Sequence, residues 1–94
     1  MGSQLIALSG PLAGSKFLLP PTVTTIGADP FNHVTWPDSG LASFHAQIRW
    51  QGNGHVLLDL DSPGGTFLNG QRVTGSLSLQ PGDRIRIGES TFLY

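Results

Sequence analysis

The chain has no cysteine. Disulfides and thiolate metal sites are therefore excluded, and the composition fits a reducing, cytoplasmic (intracellular) compartment. Charge is also scarce: 12% of residues are Asp, Glu, Lys or Arg, and the formal net charge is −1. Nothing in that balance draws the whole chain to nucleic acid or an anionic membrane. No run approaches the ~18 apolar residues of a membrane-spanning helix. Six acids among 94 residues leave little material for paired-carboxylate catalysis. The histidines His33, His45 and His55 lie far apart, with no cysteine or carboxylate at ligand spacing. No metal, no cofactor and no enzymatic activity are expected. Met1-Gly2-Ser3 has neither the basic nor the apolar part of a secretory signal and carries no structural weight here.

Long stretches free of glycine and proline are missing too. The longest is Leu41 to Gln51, 11 residues, room for one average helix at most. It reads as a strand instead. Phe44, Ala46, Ile48 and Trp50 fall on one face, and His45, Gln47, Arg49 and Gln51 on the other, a period of two. Short apolar or β-branched segments recur along the whole chain: Gln4–Leu8, Lys16–Leu19, Val23–Ile26, His33–Trp36, then His55–Leu60 with Val56, Leu58 and Leu60 on one face. After them come Gln71–Val73, Ser76–Leu79, Asp83–Ile87 and Thr91–Tyr94. Turn residues separate them, and Pro20-Pro21 stops the second because proline donates no ladder hydrogen bond. The pattern predicts an all-β sandwich or barrel of about ten or eleven short strands, in one domain over 1–94.

The stretch Asp59 to Gly70 has the strongest local character. Asn69-Gly70 is a two-residue hairpin signal, since both turn positions need positive φ. Ser62-Pro63-Gly64-Gly65 cannot pair as a regular strand and predicts a shaped loop. Two catalytic patterns fail on inspection. Gly10 to Lys16 is one residue short of a phosphate-binding P-loop, and no helix follows to supply an N-terminus. Ser43, His45 and Asp59 are a hydrolase triad in residue type only, without a nucleophile elbow; His45 reads better as a residue bonding a neighbouring loop.

Four segments together resemble the forkhead-associated (FHA) domain: Thr25-Ile26-Gly27; Asp38 to Ile48, including Ala42-Ser43-Phe44-His45; Asp59 to Gly70; and Leu79 to Gly88 with its Pro81-Gly82-Asp83 turn. They cover nearly the whole chain in order. The resemblance implies a sandwich of two mainly antiparallel sheets, with loops at one end that typically read phosphothreonine in a protein partner. It assigns Gly27, His45, Gly65, Thr66, Asn69 and Gly70 to structural support of those loops.

At the positions that grip the ligand the chain departs from the family. Where the family has Gly-Arg, this chain has Gly27-Ala28. The phosphate-bonding serine is Ala42, followed by Ser43. The asparagine that holds the peptide backbone is Gly64, preceded by Pro63. A phosphate calls for charge-assisted donors. Losing arginine, serine and asparagine together removes roughly 4 kcal/mol, about a thousandfold in affinity. None of Lys16, Arg49, Arg72, Arg84 and Arg86 lies in segments 28–44 or 61–65, whereas Asp29, Asp38 and Asp61 do. Ser43, Ser62 and the glycine backbones offer some donors, and Arg84 and Arg86 share an outward strand face.

The expectation is a protein–protein interaction module with lost or weakened phosphothreonine recognition. Two alternatives stand beside it. One is phosphothreonine binding through main-chain donors or an arginine swung in from elsewhere. The other is a structural, self-associating assembly module.

Overall fold

Short alternating segments between glycine and proline turns form ten strands among the described residues. The computed structural model describes residues 2–38 and 40–94; Met1 and Ser39, the latter within the second family segment quoted above, lie outside the described residues. The strands are β1 (Ser3–Ala7), β2 (Lys16–Leu19), β3 (Val23–Ile26), β4 (Ala46–Trp50), β5 (His55–Asp59), β6 (Thr66–Leu68), β7 (Gln71–Arg72), β8 (Ser76–Ser78), β9 (Arg84–Ile87) and β10 (Ser90–Leu93). They build one sheet in the order β2-β1-β10-β9-β6-β7 and a second in the order β3-β4-β5-β8, with every strand pair antiparallel.

The core lies between the sheets. Leu5, Ala7, Leu68, Ile85, Ile87 and Phe92 face inward from the first, and Ile26, Ala46, Ile48 and Leu57 from the second. Trp36 closes it against Phe92, ring centroids 5.6 Å apart. Such burial is the main favourable term in folding, roughly 2–3 kcal/mol for each large side chain.

Three readings of the strands change. His33–Trp36 is not a strand: Val34 makes only a parallel bridge to Ile26, through Val34 N–H to Thr25 O and Gly27 N–H to Val34 O. Pro37 cannot continue a ladder, so Val34 and Trp36 enter the core from a loop. In β4, Ala46 and Ile48 are buried, but Phe44 and Trp50 lie at its ends and stay partly in solvent. In β5 the inner face is His55, Leu57 and Asp59, because these pair with Trp50, Ile48 and Ala46. Two polar residues flank the single core leucine, so the apolar pattern of Val56, Leu58 and Leu60 belongs to the other face. His55 is buried at the end away from Asp59, donating from Nε2 to Pro20 O and accepting at Nδ1 from the Tyr94 hydroxyl.

The Asn69-Gly70 turn forms as read, with φ of 50° and 86° between paired Leu68 and Gln71. Asn69 also ties the hairpin to β9. Its backbone N–H donates to Arg84 O, its Oδ1 accepts from Arg84 N–H, and its Nδ2 donates to Asp83 Oδ1.

Candidate functional site

Strand register gathers the loops. Ile26 pairs with Ala46, and Ala46 with Asp59, so β3 ends, β4 begins and β5 ends in one row. The segments that leave Ile26, enter Ala46 and leave Asp59 therefore emerge side by side at one end of the sandwich.

His45 locks two of them. It is wholly buried. Its Nδ1 accepts from Ala42 N–H at 3.1 Å, and its Nε2 donates to Gly65 O at 2.9 Å. An acceptor at Nδ1 and a donor at Nε2 define one neutral tautomer. Both ring nitrogens are spent on loop backbone, so a triad with Ser43 has no histidine to act as base.

Asp59 anchors the third loop. Its Oδ1 accepts from the hydroxyls of Ser62 and Thr66, and its Oδ2 from Ser62 N–H. Burial raises the pKa of this carboxyl. The Ser62 and Thr66 hydroxyl bonds and the Ser62 backbone bond outweigh burial, and the carboxyl sits below its ordinary 3.8. A depressed folded value gives stability that is complete above 3.8 and lost as pH falls through the folded value. The acid limb of a melting-temperature profile is thus expected to flatten in Asp59→Asn, which no longer titrates; an unchanged acid limb in that variant would contradict the assignment.

Gly27 lets the first loop close on the second. Ala28 N–H bonds Ala42 O at 3.0 Å and Asp29 N–H bonds Ser43 O at 3.1 Å. Asn32, buried beneath, donates from Nδ2 to Asp29 O and to Ser43 O. A Cβ at position 27 would stand 2.2 Å from Ser43 O and 2.8 Å from Asn32 Nδ2. Backbone cannot yield that far, so Gly27→Ala is expected to cost roughly 2–3 kcal/mol, read as a lowered melting temperature by circular dichroism.

The ligand-gripping positions converge on this frame. Ala28 and Ala42 are half-buried neighbours; Ser43, Pro63 and Gly64 are exposed. A Cβ at Gly64 would lie 3.5 Å from Gly40 O, in ordinary contact with the second loop. None of Ala28, Ala42, Pro63 and Gly64 has a side-chain donor. Ser62, the other hydroxyl considered, is buried and bonded to Asp59. Asp29 and Asp38 cap their own loops through Phe31 N–H and Gly40 N–H.

Two residues were invisible to loop counting. Asn32 gives no sequence signal of its role as a clamp. Arg72 belongs to β7 by sequence, yet the β6–β7 hairpin folds it onto the third loop. Its guanidinium donates to Ser62 O at 3.4 Å, and its Nε lies 3.0 Å from where a Gly65 Cβ would be. The Asn69-Gly70 turn was the available signal, since it returns β7 alongside β6.

A two-sheet sandwich with three interlocked loops at one end defines a class of binding modules that hold partners on loops. The profile of the FHA domain matches residues 24–88, and the chain belongs to the FHA domain family. It is 32% identical to the glycogen accumulation regulator GarA of Mycobacterium tuberculosis, over 99% of this chain and 57% of that protein. It is 33% identical to an oxoglutarate dehydrogenase inhibitor of Corynebacterium jeikeium, over 99% of this chain and 65% of that protein. The chain thus spans about three-fifths of the length of these relatives. An FHA domain solved in a structural and functional study of phosphothreonine-dependent FHA domain interactions superposes with a TM-score of 0.88 at 31% identity, covering 99% of this chain and 94% of that one. The fold is the all-β FHA sandwich.

Proposed function

We propose that this FHA domain, residues 1–94, is a non-catalytic cytoplasmic module that binds a protein partner through its loop end with a lost or weakened grip on phosphothreonine. The observation that carries this reading is the convergence of Ala28, Ala42 and Gly64, without one side-chain donor, on a fully bonded frame of His45, Asp59, Ser62 and Thr66. Relatives named as a regulator and an inhibitor fit a regulatory role exercised by contact.

What the loop end does present is apolar and acidic. Phe31 is 90% exposed and Phe44 50%. Their chain neighbours Asn32 and Ser43 are bonded to each other at 2.7 Å, so the two aromatics stand on adjoining loops, and Asp29, Asp38 and Asp61 belong to the loops of the same end. Exposed aromatics in such a setting are typical contact anchors.

The test is capture of partners from a lysate treated or not with phosphatase. The expected result is capture that phosphatase does not alter and that Phe31→Asp with Phe44→Asp removes. Arg72 favours a second reading, in which its guanidinium serves a residual anion site beside residues 62–65. Phosphatase-sensitive capture that is lost in Arg72→Ala would establish that reading in place of the first.

A further inference from the structure

The charges of this chain are sorted in space. Direct cross-strand partners share a sheet face, so register shows what the outer face of the six-stranded sheet displays. One row is Lys16, Ile6, Leu93 and Arg84. The next is Thr91, Arg86, Phe67 and Arg72. Four of the five basic residues of the chain therefore stand on this face, and neither row contains an acid. The guanidinium bonds of Arg72 and Arg86 go to the carbonyl oxygens of Ser62 and Gly88 rather than to carboxylates.

Between the cations the face is apolar. Ile6, Leu93 and Phe67 are half-buried in the rows, and Leu18, opposite Gln4 in the adjoining row, is 80% exposed. Arg86 lies over the Phe67 ring, 4.1 Å from its centroid, which orders the guanidinium before any partner arrives.

We propose that this face, apart from its Arg72 corner, is a docking surface, separate from the loop end, for an acidic segment of a partner protein with aliphatic residues among its carboxylates. Beside Lys16, its cations Arg84 and Arg86 are arginines, whose planar fork matches carboxylates in pairs. From Lys16 to Arg84 the row crosses three strand spacings, roughly 14 Å, which about four to five residues of extended chain span. An anionic membrane fits less well. The net charge is −1, and the acidic loop end would be repelled by the same surface.

The test is titration of the 15N-labelled domain with a short peptide alternating Glu and Leu, with its Gln-for-Glu twin, and with phosphatidylglycerol vesicles. The Glu peptide is expected to shift amide signals of β1, β2, β9 and β10, and to weaken as salt rises. Arg84→Ser with Arg86→Ser is expected to reduce affinity about tenfold or more, and Lys16→Glu, at the far end of the row, to weaken it independently. Phe31→Asp with Phe44→Asp leaves this binding unchanged, which separates it from the loop-end reading. Equal binding of the Gln twin, shifts confined to the loop end, or binding to vesicles but not to the Glu peptide would overturn the proposal.

Discussion

The triple variant Ala28→Arg, Ala42→Ser, Gly64→Asn is expected to bind phosphothreonine peptides about a thousandfold more tightly than the parent. The reason is geometric as well as chemical. Ala28 and Ala42 are already joined by a backbone hydrogen bond at 3.0 Å, so an arginine and a serine would stand on adjoining backbone. Gly64 has no left-handed φ to exclude a side chain, and its Cβ would meet nothing nearer than 3.5 Å. The frame behind these positions needs no repair, because His45 and Asp59 have all their bonds. Asp29, Asp38 and Asp61 oppose the gain through repulsion, which the added arginine offsets. Peptide titration by fluorescence anisotropy checks the outcome. A folded triple variant that binds no better than its parent would show that the grip resides in other groups.

His45→Ala is expected to lower stability by about 3–4 kcal/mol, the sum of a cavity and two stranded backbone groups. For a domain of this size that is a fall of roughly 15–25 °C in melting temperature. Ala42 N–H and Gly65 O both lose their partner, and they belong to different loops. The variant is therefore expected to loosen both segments while β9 and β10 stay protected in hydrogen exchange. A loss under 1 kcal/mol would contradict the role of His45 as the buried brace; the difference is read by thermal and denaturant melts.

Local signals made much of the fold legible. Asn69-Gly70, Pro81-Gly82 and the alternation of Arg84, Ile85, Arg86 and Ile87 depend on neighbours in sequence, and each forms as the sequence implies. The phase of β5 was not legible. His55 and Asp59 occupy inner positions that hydrophobic patterning reserves for apolar residues, and only their partners, Pro20 O and Tyr94 at one end and Ser62 and Thr66 at the other, explain their place. Within the site, the meeting of Ala28 with Ala42 was implied only through the family resemblance, because it rests on the register of β3 against β4. Arg72 and Asn32 stayed hidden for a related reason. Each reaches its target through a turn, and loop membership counted along the chain does not see across turns. The basic sheet face was visible in the sequence only as Arg84 and Arg86. Lys16 and Arg72 joined it once the order β2-β1-β10-β9-β6-β7 was known.

The central claim is that the loop end keeps the FHA frame and has lost its hold on phosphate. The measurement that tests it most directly is calorimetric titration of the parent domain with a degenerate phosphothreonine peptide library and its unphosphorylated twin. The account predicts no difference between the two, with any binding weaker than about 1 mM, or −4.1 kcal/mol. Micromolar binding that requires the phosphate would contradict it.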